Sequence, residues 1–141
     1  MPLRWSPHDF EKRAAQFRQL SDPVPLNKEL AEESLALADE QFNREGGPYG
    51  ARWKVSQRVR RFGGRTLHLS GDLQRNKDAR ADRSGWWVTF RQIYAAVHQF
   101  GWKKRNIAAR PFLPLQSRGI PGTWLKRMQG RVDEHIRKIF R

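Results

Sequence analysis

Apolar positions recur at helical spacing near both ends of this chain and alternate in short runs between them. Phe10, Ala14, Phe17 and Leu20 follow one another at spacings of four, three and three, which places them on one face of a helix. Ser6 can cap that helix, Pro7 suits its first position, and Asp9 carries the sign favoured in a first turn. Asp22-Pro23-Val24-Pro25 should break it, because each proline disfavours helical geometry in the residue before it. A second helix is expected from an Asn27 cap to about Arg44, with Leu30, Ala31, Leu35, Ala38 and Phe42 inward. Its Glu29, Glu32, Glu33, Asp39 and Glu40 are expected mostly outward, and Glu45-Gly46-Gly47-Pro48 ends it.

The middle of the chain is more broken. Gly46 to Gly64 reads as an ordered loop followed by an exposed basic stretch. Thr66-Leu67-His68-Leu69 alternates as a short strand does, and Ser70-Gly71-Asp72-Leu73 marks a turn that can start one helical turn. Asn76 to Ser84 is charged and reads as a hairpin tip, while the aromatic and β-branched run Gly85 to Phe90 is the best strand. Ile93, Val97 and Phe100 then repeat at helical spacing, so a short helix ended by Gly101 is expected, followed by a basic loop from Trp102 to Asn106. Pro111 and Pro114 confine the next segment to an edge strand or an extended loop. Thr123 can cap a closing helix of about 17 residues with Leu125, Met128, Val132, Ile136 and Ile139 inward. Lys126, Arg127, Arg131, Arg137, Lys138 and Arg141 occupy its other face.

These elements predict an α+β fold: a small antiparallel sheet packed by two N-terminal helices, a short central helix and a C-terminal helix. A length of 141 residues suits one domain, 1–141, with one modest core. Apolar residues make up 38%, a low share, but the Trp and Phe side chains are large enough to compensate.

Charge changes the picture more than composition does. The net charge is +14, and it is split: residues 1–45 sum to −3, with nine acids and six bases, and residues 46–141 to +17, with five and 22. Such a division suits a polyanion partner, or a head-to-tail contact between unlike surfaces of successive copies. Arg58, Arg60, Arg61, Lys103, Lys104 and Arg105 are the candidates for either role, and aromatics interleave with them as in Trp102-Lys103-Lys104-Arg105.

Candidates for catalysis are few. With no cysteine, thiolate chemistry and disulfides are excluded. Phosphate-loop and dinucleotide patterns are absent, since Gly46-Gly47-Pro48-Tyr49-Gly50 lacks the lysine and the strand-to-helix context. His8, His68, His98 and His135 have no ligand partner at helical metal spacing, so each is read as structural. Asp72 and Asp78 could serve with His68 as acid and base, but Asp72 is explained more simply as a turn residue. No enzyme, cofactor or metal is expected. The N-terminal Met1-Pro2-Leu3-Arg4-Trp5 lacks a signal-peptide run and no stretch suits a membrane span, so a soluble protein is expected.

Four short blocks occur in order: Gly47-Pro48-Tyr49-Gly50-Ala51-Arg52-Trp53, Leu69-Ser70-Gly71-Asp72-Leu73, Tyr94-Ala95-Ala96-Val97-His98-Gln99-Phe100-Gly101, and Ala109-Arg110-Pro111-Phe112-Leu113. In these the chain resembles the phage virion morphogenesis, or tail completion, proteins of tailed phages of the Mu and P2 kind. Ser70 stands where a Thr is common in that family, and either hydroxyl can cap. The resemblance implies a fold like that of tail terminators and neck proteins. It also implies a structural role at the neck or tail end of the virion, assembled in the host cytoplasm, as a ring of its own copies, expected to be a hexamer. Neighbouring neck, tail tube or sheath proteins would be partners, with non-specific contact to DNA in the channel. An independent DNA-binding protein using its basic half is the alternative. By the same resemblance Gly50, Trp53, Gly71, Asp72, Leu73, Tyr94, His98, Phe100, Gly101, Arg110, Pro111 and Phe112 are structural residues, with Arg110-Pro111-Phe112 an edge segment poised for subunit contact.

Overall fold

The computed structural model describes residues 6–141, so Met1 to Trp5 lie outside the described residues. The order is α1 (Pro7–Ser21), α2 (Val24–Arg44), α3 (Gln57–Phe62), α4 (Asp72–Arg75), β1 (Lys77–Asp82), β2 (Gly85–Phe90), α5 (Ala95–Phe100) and α6 (Gly122–Ile139), with a 3₁₀ turn at Lys103–Arg105. This is the α+β class expected, with one two-stranded antiparallel sheet.

α1 starts as its sequence dictates. Asp9 donates its N–H to Ser6 Oγ at 3.0 Å, and the Asp9 carboxylate accepts from the Ser6 N–H at 3.3 Å, closing a capping box. Its expected inward face is not buried, however: Phe10 and Phe17 are 68% and 61% exposed. α1 packs on α6 rather than on the sheet, through the buried Gln16, whose Nε2 donates to the Ile139 carbonyl at 2.9 Å. Phe17 meets Phe140 edge-on, with ring centroids 5.4 Å apart.

α2 begins three residues before the expected Asn27 cap. Pro23 is its N-cap and Pro25 falls in the first turn, where a missing N–H removes no helical bond. Asn27 is instead buried and donates from Nδ2 to the Asp82 carbonyl at 2.8 Å, tying α2 to the end of β1. Trp86 makes a second tie from β2, donating Nε1–H to Ser34 Oγ at 3.0 Å. α2 thus carries the hairpin along one side and α6 along another.

The hairpin departs from expectation on its first strand. Lys77–Asp82, read as a charged tip, is β1, paired from Lys77 opposite Phe90 to Asp82 opposite Gly85. Its pairing needs backbone groups alone, and Ala79 and Ala81 supply the small half-buried positions. The tip shrinks to Arg83 and Ser84, held by Asp82 Oδ1, which accepts the Ser84 N–H at 2.8 Å. Thr66–Leu69 is no strand: Leu67 has φ 58°, which interrupts an extended run, and a lone Arg65 to His68 bridge remains.

Two apolar clusters form the core. Phe42, Trp53, Leu73, Ala95 and Phe112 make one, with Phe90 against it. Leu30, Leu37, Trp124 and Met128 make the other, between α2 and α6. α6 is therefore rotated from its expected setting: Trp124, Met128, His135 and Ile139 are buried, while Leu125 and Ile136 are exposed. Pro121, not Thr123, is its N-cap. Its Arg127 and Arg131 turn towards α2 and grip Glu33, at 2.6 Å and 2.8 Å. Glu33, expected outward, is 4% exposed. Burial opposes its charge, but hydrogen bonds from Arg131 and Arg127 outweigh that and hold its carboxyl below the ordinary range.

Candidate functional site

The four sequence blocks converge on one region. Trp53 donates Nε1–H to the Pro111 carbonyl at 2.8 Å, joining the first block to the fourth. Trp53, Leu73 and Phe112 then share a core with Phe42, whose ring lies 5.4 Å from Trp53 and 5.1 Å from Phe112. Phe112 is 1% exposed. The third block is tied to the fourth by Gln99, which the sequence reading did not single out. Its Oε1 accepts the N–H groups of Phe112 and Leu113, at 2.9 and 3.1 Å, and its Nε2 donates to the Leu113 carbonyl at 2.8 Å. Arg110 N–H adds a bond to the His98 carbonyl at 2.7 Å. Residues 109–114 form an extended loop rather than an edge strand, because these partners are side chains and a helix end.

The remaining block residues have local tasks. Gly71 has φ +80° and begins α4, where Ser70 Oγ donates to Asp72 Oδ2 at 2.7 Å and Arg75 pairs with Asp72 at 2.8 Å. These bonds, Ser70 first, lower the Asp72 carboxyl. Gly50, at φ +96°, turns an exposed loop that Tyr49 anchors by accepting the Leu115 N–H at 2.8 Å. The expected inward face of α5 is turned out, since Ile93 and Phe100 are 96% and 68% exposed and Ala95 and Gln99 take the buried positions. The Tyr94 ring stands edge-on to His98, 5.8 Å between centroids. His98 is half-buried with Nδ1 unpartnered. Burial, and then the nearby Arg110 charge, lower its pKa from 6.5.

Two cavities border the converging blocks. One, of about 460 Å³, lies among Leu67, Leu69, Leu73, Tyr94, His98 and Arg110, with Arg58 at its side. The other, of about 710 Å³, lies between α3 and the 3₁₀ turn, where Lys54, Arg60, Lys103, Arg105 and Arg110 gather. Arg61 and Lys104 line neither cavity. Among the described residues no cluster of three or more His, Asp or Glu is placed to hold a metal ion, and no helix is long and apolar enough to cross a membrane.

The profile of the phage virion morphogenesis family matches residues 10–137. The chain belongs to that family. Its role is accordingly in phage virion assembly. No curated protein and no solved structure matches the chain. In this virion morphogenesis protein the four blocks serve packing: they bury Trp53, Leu73, Gln99 and Phe112, and leave Leu69 and Phe100 outside.

Proposed function

We propose that this protein completes the phage tail as a closed ring, acting by assembly and not by catalysis, at the junction of tail tube and head connector. The observation that carries this reading is surface in excess. The accessible area is 10274 Å², against about 7,600 Å² expected for a compact monomer of this mass. The difference, about 2,700 Å², is of the order that a ring protomer covers through interfaces on two sides. Membership of a virion morphogenesis family points the same way.

The contact between copies is apolar in this reading. α2 has few acids to lend a neighbour, since Glu33 and Glu40 are held by Arg127, Asp39 by Lys77 and Glu29 faces His135, all within the chain. Leu69 and Tyr94, which line the smaller cavity, and Ile93, next to Tyr94 in the chain, are exposed apolar side chains, and they are the surface a second copy would cover. A hexamer is the expected closure. Light scattering of purified protein should give a mass several times that of the 16.6 kDa chain, and electron microscopy of particles assembled without it should show tails unjoined to heads. Intact, joined virions would overturn the reading.

A further inference from the structure

The chain has no Asp or Glu between Glu45 and Asp72, and none between Asp82 and Asp133. The fold brings these two acid-free stretches against each other at the larger cleft, where Lys54 and Arg60 come from the first and Lys103, Arg105 and Arg110 from the second. No carboxylate lines it. Arg110 is the anomaly there. It is 7% exposed, its Nε donates to the Lys54 carbonyl at 2.6 Å, and Nη1 lies 3.4 Å from the Ala108 carbonyl. Among the described residues no acid pairs with it. A buried charge is ordinarily paired, because removing it from water is costly. Here the guanidinium is fixed by backbone carbonyls, which carry no formal charge to cancel its own, and Arg110 lines the cleft.

We propose that this cleft binds the phosphate backbone of duplex DNA, with Arg110 as the preset donor on its floor and Lys54, Arg60, Lys103 and Arg105 neutralising successive phosphates along its rim. A carboxylate from a second copy is the other anion to weigh, and the charge balance argues against it. The chain has 14 acids against 28 lysines and arginines, and most acids near its helices and hairpin already have partners within the chain. A second copy therefore brings more cations than it can cancel, whereas DNA supplies a charge at every phosphate. Base reading is not part of the proposal, since contacts to phosphates carry no sequence information. The chemistry stands apart from ring formation, so the two readings fail separately: one in molecular mass, the other in DNA binding.

The test is fluorescence anisotropy with a labelled duplex of about 20 base pairs and arbitrary sequence, across a salt series. Two triple variants remove the same charge: Arg60→Ala with Lys103→Ala and Arg105→Ala at the cleft, and Arg137→Ala with Lys138→Ala and Arg141→Ala at the end of α6. We expect the wild type to lose affinity with a log-log salt slope near −4, for about four or five phosphates, and the cleft triple to bind roughly tenfold more weakly with a slope shallower by about 3. The α6 triple should change binding by less than about threefold. Arg110→Gln should weaken binding as well; if that variant does not fold, the surface triples still decide. Equal losses in both triples would mean long-range charge alone and would overturn the proposal. So would an absence of binding at about 50 mM salt, or a poly-glutamate peptide binding at the cleft while the duplex fails to displace it.

Discussion

Gln99 and Phe112 are locked by one hydrogen bond: the Gln99 Oε1 accepts the Phe112 backbone N–H at 2.9 Å, in a site where Gln99 is 6% exposed and Phe112 1%. The same amide satisfies Leu113 twice, through its N–H and its carbonyl. An extended loop crossing a core has no ladder to satisfy its backbone, so a side chain must do it. Gln99→Leu would keep the apolar volume and orphan three backbone groups. We expect it to destabilise the protein by about 2–4 kcal/mol, read as a lower midpoint in urea with an unchanged slope. A midpoint within error of wild type would show that water can replace the amide.

Glu33 gives a second prediction, with its own pH window. Its carboxyl is lowered from 4.5 in the folded state, so the stability it supplies is fully present above 4.5 and is lost as pH falls through the folded value. Glu33→Gln should cost about 2–3 kcal/mol at neutral pH, because a buried acceptor of two arginines is removed. Glu40→Gln, at an exposed pair with Arg127, should cost under about 1 kcal/mol. Equal costs would show that burial of Glu33 contributes nothing.

His98 acts in a different range. Its pKa is lowered from 6.5 by burial and by the Arg110 charge. Between the folded value and 6.5 the unfolded chain takes up a proton that the folded chain refuses, so stability rises with pH through that window and is level above it. His98→Gln should flatten this slope in chemical denaturation at pH values from about 5 to 7. A slope identical to wild type would place the titration elsewhere.

Ile93 separates assembly from folding. The side chain is 96% exposed and packs on nothing in the chain, so Ile93→Ser should change monomer stability by less than about 0.5 kcal/mol. The proposed ring contact would nevertheless weaken, visible in light scattering as a lower mass at equal concentration. An unaltered mass would place the interface on another surface.

How much of this was legible depends on what kind of bond made each element. Ser6-Pro7-His8-Asp9 predicted its helix start correctly, because a capping box is local and its partners are three residues apart. The extent of α6 was legible for the same reason, but not its orientation. Two stripes compete on that helix, and the contact with Leu30 and Leu37 selects the one carrying the larger Trp124 over the one through Leu125. Lys77–Asp82 was illegible as a strand because its pairing partner, not its own side chains, makes it one. At the site, the resemblance of the blocks pointed to Trp53, Leu73, Pro111 and Phe112, which do meet. Gln99 was missed since a glutamine in a helix shows no sign of the loop it will satisfy. The unpaired state of Arg110 was equally hidden, because pairing depends on which residues the fold brings near.

Gly101 offers the sharpest test of how the third and fourth blocks meet. It ends α5 at φ +75°, a backbone setting that L side chains rarely adopt. A Cβ there would lie 2.7 Å from the Ala109 nitrogen and 2.9 Å from the Ile107 oxygen. Both obstacles are backbone, so relief requires moving the whole 107–109 strand of chain, which Trp102 holds by accepting the Ile107 N–H at 3.0 Å. Gly50, at φ +96°, has the same conformational demand with nothing within 4 Å of the added atom. Gly50→Ala should therefore cost about 1 kcal/mol, from backbone strain alone. Gly101→Ala adds a steric clash to that strain and should cost about 3 kcal/mol or more. The difference isolates the close approach of the two segments. Because Ala109 adjoins Arg110, the displacement should also weaken DNA binding in any Gly101→Ala protein that remains folded, while Gly50→Ala leaves binding unchanged. Equal costs for the two variants would mean that the segments stand further apart than the Gly101 geometry requires.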